Sequence, residues 1–216
     1  MKVEATKTLS WSEIELAPMS SGIYAWYSHL SLSKADISAV ISRIELAKQD
    51  SVQRARQEVE VALDKFIFNP FKESPYEVIL RGQLKPRFGG EISHEPMKSD
   101  SLVNRLAENP ERFRIIADVL KIASPSFTAP LYIGMAVNLR KRLRWHRNKI
   151  DELRNQKNIF DVGDTAEAGF ANQVVARNFD PTNLFVHIAE VDVDTSEHND
   201  LENILNRINY PIFGRN

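Results

Sequence analysis

Apolar residues between Ser33 and Gln49 recur as Ile37, Val40, Ile41 and Ile44. That spacing predicts a helix with one buried face, and Ser33 with Asp36 forms a capping pair at its start. A second helical run, about 51–66, carries Val52, Ala55, Val59, Ala62 and Phe66. Two further helices are predicted at about 100–107 and 110–123. The latter has Pro110 in its first turn and Phe113, Ile116, Val119 and Leu120 on one face. A last helix, about 196–208, places Leu201, Ile204, Leu205 and Ile208 on one stripe. Strand patterns stand at 21–28 (SGIYAWYS), 76–84 (YEVILRGQL), 130–134 and 183–193. In the last of these, Leu184, Val186 and Ile188 alternate with Phe185, His187 and Ala189. The glycine pair and flanking prolines of KPRFGGEISHEP read as a loop, and 151–182 is ambiguous apart from a helical stretch near 168–177.

The mixture predicts an α/β chain of the α+β kind, with helices concentrated in 29–128. Its 216 residues suffice for one large domain or a small domain carrying an insert. Hydrophobic content of 43% and charged content of 26% are those of a globular protein. No run approaches the roughly 18 apolar residues of a membrane span, and MKVEATKTLSW is too polar for a signal-peptide core. No membrane partner is therefore expected. The chain has no cysteine, which excludes disulfides, thiolate metal sites and cysteine nucleophiles and fits a cytoplasmic location. With a net charge of −1, any nucleic-acid surface has to be a local patch.

One such patch exists. Arg140, Lys141, Arg142, Arg144, Arg147 and Lys149 follow one another without an intervening acid, on a helix predicted at about 137–150. On a helical wheel Leu139, Leu143 and Ile150 make the buried stripe. Arg142 and His146 lie one turn apart beside it, and Arg140, Arg144 and Arg147 lie on the more exposed side. Trp145 is expected to pack in the core. The strand before this helix ends in Tyr132 and Gly134, where a glycine permits close backbone approach or a tight bend. A second tyrosine, Tyr24, stands beside Gly22 on the first strand. Two phenols, a guanidinium and an imidazole form a coherent set for phosphodiester chemistry. Phenols align or activate water, arginine grips phosphate oxygens bidentately, and histidine moves protons near neutral pH. Glu202, at the edge of the last helix's stripe, supplies the carboxylate a divalent metal would need. Its competitor is Glu197, while Asp192 and Asp194 are expected to end the preceding strand.

GIY at 22–24, YIG at 132–134, NLRKRLRWH at 138–146 and Glu202 together resemble the GIY-YIG nuclease family. The resemblance covers roughly 18–28 and 128–216. It implies a discontinuous nuclease domain, 1–28 and 129–216, built on a three-stranded antiparallel sheet flanked by helices. It also implies a mostly helical insertion, 29–128, at a hairpin tip, where added length costs little closure entropy. Matched by motif, the implied site residues are Tyr24, Tyr132, Arg142 and Glu202, with His146 one turn after the arginine. Mg²⁺ or Mn²⁺ would sit on Glu202. The expected activity is metal-dependent DNA cleavage, with Arg140, Lys141, Arg144, Arg147 and Lys149 gripping the DNA backbone.

Pro211 fits the family's closing proline, but the asparagine expected after it falls near Gly214, two residues before Asn216. Met135 stands where the family's repair branch often has lysine. Arg81, Lys85 and Arg87 read either as a DNA-backbone grip or as an ordinary basic loop. The activity could serve restriction, defence or repair, and cutting both strands from a single site would call for a homodimer. The alternative reading is a nucleic-acid-binding or interaction module that keeps the fold without turnover.

Overall fold

A computed structural model describes residues 6–30, 32–72, 75–80, 82, 88–93, 96–157, 169–191 and 195–213. The expected features at Arg81, Lys85, Arg87, Asp192, Asp194, Gly214 and Asn216 lie outside those residues, as does the side chain of Glu197. The chain divides into two compact units, one comprising 1–31 and 118–216 and the other 32–117.

The first unit is built on a four-stranded antiparallel sheet rather than the three strands expected. The strands β1 (Lys7–Ser10), β2 (Gly22–Ser28), β5 (Tyr132–Ala136) and β6 (Leu184–Glu190) lie in the order β1-β6-β2-β5. The extra strand is β1, which pairs Leu9 with Val186 and Thr8 with His187. Leu9 is its one buried apolar residue, so its sequence carries almost no strand signal and the open edge of β6 supplies the pairing. On the central strand, Tyr24 and Trp26 point to one face. They sit opposite Gly134 and Tyr132 of β5 and opposite Ile188 and Val186 of β6.

Helix α5 (Leu139–Lys157) covers that face and packs beside α6 (Phe170–Ala176). Leu139, Leu143, His146 and Ile150 are all buried, so the histidine belongs to the stripe rather than to its flank. At seven residues from Leu139 it is only about 20° round the helix. Helix α7 (Thr195–Asn209) lies against β5. Its predicted stripe is only half used: Leu201 and Leu205 are partly buried, whereas Ile204 and Ile208 are 57% and 66% exposed. No described helix is long and apolar enough to cross a membrane.

The second unit holds α1 (Lys34–Asp50), α2 (Val52–Leu63) and α3 (Asp100–Glu108), with the first turns of α4 (Arg112–Phe127). Helix α1 begins where expected, with the Ser33 hydroxyl accepting from the Asp36 amide at 3.0 Å. Ile37, Val40, Ile41 and Ile44 pack with Ala55, Val59, Leu63, Val103, Leu106 and Phe113 in one apolar core. Pro110 stands in the turn that leads into α4, its carbonyl accepting the Phe113 amide at 3.0 Å, and Val119 faces solvent. The glycine pair read as loop forms β4 (Gly89–Ile92), a short hairpin with β3 (Tyr76–Ile79). Glycine is depleted in strands, and the pairing with β3 supplies what the sequence lacks.

Candidate active site

The two motif tyrosines come from adjacent strands because β2 and β5 pair in a register that sets Tyr24 against Gly134 and Tyr132 against Trp26. The ring centroids of Tyr24 and Tyr132 are 6.2 Å apart. Gly134 is required by space. A Cβ there would stand 2.5 Å from the Tyr24 hydroxyl oxygen and 2.7 Å from its Cζ. Gly22 is confined in the same way, by the Ala189 carbonyl oxygen at 2.3 Å and Leu139 Cδ1 at 2.7 Å. Both motif glycines therefore serve close packing: one admits the phenol, the other seats α5 on the sheet.

Tyr24 Oη is the hub of the cluster. Arg142 Nε donates to it at 3.2 Å, and His146 Nε2 lies 3.0 Å away. Tyr24 is 1% exposed and His146 2% exposed, whereas Tyr132, Arg142 and Glu202 are half-buried. The cluster thus has a closed back and an accessible front.

Glu202 Oε2 accepts the Met135 amide of β5 at 3.2 Å, which fixes the carboxylate at the edge strand one residue beyond Gly134. Its negative charge reaches Tyr24. The five residues singled out from sequence, Tyr24, Tyr132, Arg142, His146 and Glu202, are therefore gathered along the paired stretch of β2 and β5.

Burial pushes the Tyr24 hydroxyl well above its usual range, as do the neighbouring Tyr132 and Glu202, and Arg142 offsets this only in part. The phenol is neutral at physiological pH. Burial, reinforced by the Arg142 charge, lowers the His146 pKa to about 3. The shift favours the uncharged imidazole at physiological pH, unlike the histidine titrating near neutrality that the sequence suggests. Burial pulls Arg142 down, but its hydrogen bond to Tyr24 and its interactions with the two phenols leave it above its ordinary value.

The remaining cations are largely spoken for. Arg140 Nε donates to the Ala17 carbonyl at 2.6 Å. Arg144 and Arg147 clasp Glu15 between them, and Lys149 pairs with Glu152 at 3.1 Å. Lys141 is exposed. Trp145 is not a core residue: it is 51% exposed, and the Arg142 guanidinium lies over its ring at 4.7 Å.

Sequence reasoning missed Glu15, Trp26 and Phe170. Trp26 stacks on Phe170 at 5.1 Å, and Phe170 meets His146 edge-on at 5.2 Å. No local pattern announces Glu15, because it lies far from α5 in sequence. Phe170 lies inside the ambiguous stretch 151–182, near the start of the helical segment expected there.

Among the described residues no three His, Asp or Glu side chains group into a metal cage. The donor set still fits a hard cation of the magnesium type. Such an ion commonly binds one or two carboxylates and completes its shell with waters and substrate phosphate oxygens. Glu202 is the carboxylate that would hold it. No family model, curated protein or solved structure matches the chain.

Proposed function

We propose that the protein is a metal-dependent DNA endonuclease of the GIY-YIG type. The observation that carries this reading is the hub at Tyr24 Oη: a buried phenol within hydrogen-bonding distance of both Arg142 and His146, beside Tyr132 and Glu202.

In this reading the phosphate lies on the half-buried front formed by Tyr132, Arg142 and Glu202. Arg142 is hydrogen-bonded to both phenols, to Tyr24 through Nε, and its remaining N–H donors would meet phosphate oxygens. The guanidinium stabilises the charge that builds up as water attacks phosphorus in line. Tyr132, the accessible phenol, aligns that water. Tyr24 is too deeply buried to serve as an open base, and holds Arg142 in place instead. Glu202 would hold Mg²⁺ or Mn²⁺, an ion of the kind that neutralises charge on a leaving oxygen. The new bond joins the water oxygen to phosphorus while the bond to the leaving oxygen breaks. The water loses one proton to solvent, and the leaving oxygen takes one up. Arg140, Lys141, Arg144, Arg147 and Lys149 contribute affinity without reading sequence. Glu15 and Glu152 already neutralise part of that charge.

Plasmid cleavage with Mg²⁺ by wild type, Arg142→Ala and Glu202→Gln tests this. A loss of about 10²–10³-fold in either variant is expected, the range seen when one transition-state donor is removed. Undiminished cleavage by either variant overturns the site. Wild-type protein that binds DNA in a salt-sensitive way yet never nicks it would instead establish the non-catalytic binding module.

A further inference from the structure

The proposed chemistry leaves Trp145, beside the site, without a task. Its side chain is 51% exposed, although an indole is a large apolar group to leave in water. It is nevertheless held. The Arg142 guanidinium lies over its ring at 4.7 Å, and the His146 ring meets it at 5.1 Å and 69°. Both of those side chains also contact Tyr24 Oη. What the indole exposes is therefore exposed beside the guanidinium that would grip the phosphate. Its surroundings on α5 are basic. Lys141, one turn earlier, is exposed, and no acid stands between Arg140 and Lys149.

An exposed aromatic ring among cations is what a surface for unpaired nucleic acid needs. The cations follow the backbone, and the ring stacks on a base of any identity because every base has a π-face. Paired bases in a duplex are stacked on their neighbours and present only their edges in the grooves. An indole can therefore take a base only where the strand is unstacked. Since guanidinium and indole touch, a phosphate on Arg142 and a base on Trp145 would come from the same stretch of strand.

We propose that Trp145 is a specificity-determining residue that stacks on an unpaired nucleobase next to the phosphate held by Arg142. The substrate class is then DNA with an unstacked nucleotide rather than continuous duplex. Cleavage of that DNA rests on the nuclease reading, but the stacking does not.

The test compares a duplex carrying one unpaired adenine with the same duplex lacking it. Affinity of the full-length protein for each is measured without metal, by fluorescence anisotropy of labelled DNA. The wild type should bind the bulged duplex roughly 5- to 100-fold more tightly, the range for one base stacked on an aromatic side chain. Trp145→Ala should erase the preference, and Trp145→Phe, which keeps a ring, should restore most of it. Equal binding of the two duplexes by the wild type overturns the proposal whatever the variants do. So does a preference that survives in Trp145→Ala. With Mg²⁺, Trp145→Ala should raise KM for the bulged duplex. A lowered kcat at unchanged KM would overturn the stacking role and make Trp145 a support for Arg142 alone. A wild type that prefers the bulged duplex yet never cleaves it would remove the nuclease reading and leave the stacking standing.

Discussion

The two units bury different kinds of side chain. The core of 32–117 is aliphatic apart from Phe113, and its members come from helices close in sequence. The unit formed by 1–31 and 118–216 buries Tyr24, Trp26, His146 and Ser28 among its apolar residues. Its central contact joins residues 122 positions apart. Buried polar groups cost free energy unless they are partnered, so they persist where geometry is held closely. Among the described residues the sheet unit is where such groups are buried, and the proposed site lies in that unit.

The contrast can be broken from either side. The largest effect should come from the sheet unit's front: Arg142→Ala is expected to lower the cleavage rate constant about 10³-fold while changing urea-unfolding stability little. In the helical unit the balance should reverse. Ile44→Ala is expected to cost about 2–5 kcal/mol in urea unfolding, the usual range for emptying a full core position. Its cleavage rate constant, measured on folded protein, should stay at the wild-type value.

Gly134→Ala lies between these extremes. Its Cβ would fall 2.5 Å from Tyr24 Oη, so the phenol or the strand must move. Overpacking of this kind costs about 1–3 kcal/mol, and loss of Tyr24 placement should also impair cleavage.

A smaller effect follows from pH. The folded pKa of His146 lies near 3, below the unfolded value of about 6.5, so between those values the unfolded chain binds more protons. The contribution is complete above pH 6.5 and fades as pH falls towards 3. From pH 7 to 5 it amounts to about 2 kcal/mol. Urea unfolding of wild type and His146→Leu should show this increment disappearing with the imidazole.

The smallest expected change is in DNA affinity. Glu15→Gln removes the acid clasped by Arg144 and Arg147. Exposed ion pairs are worth only about 0–1 kcal/mol, so binding should tighten no more than about fivefold at low salt. The slope of log affinity against log salt should steepen as the freed cations meet phosphate. Unchanged binding would show that neither arginine meets DNA.

Much of the local structure was legible because its causes are local. The Ile37, Val40, Ile41 and Ile44 spacing carries α1, and the alternation at 184–188 carries β6. The strand β1 was not legible, since one buried leucine makes no pattern. Neither was the exposure of Ile204 and Ile208: periodicity marks an apolar stripe but not how much of it a neighbour covers. Trp145 failed for the same reason, and so did the free cation patch, because Glu15 reaches it from a distant segment.

For the site, the sequence by itself determined the identities and the local geometry: two phenols beside glycines on short strands, and an arginine and a histidine one helical turn apart. Only the tertiary structure decided that the strands bearing the phenols are partners. It alone buries Tyr24 and His146 while leaving Tyr132, Arg142 and Glu202 half-open, and it alone makes the imidazole neutral. Short-range steric rules fix which residues share a strand or a helix face. Burial, hydrogen-bond partners and proton affinity depend on what packs across from them, here on segments more than a hundred residues away.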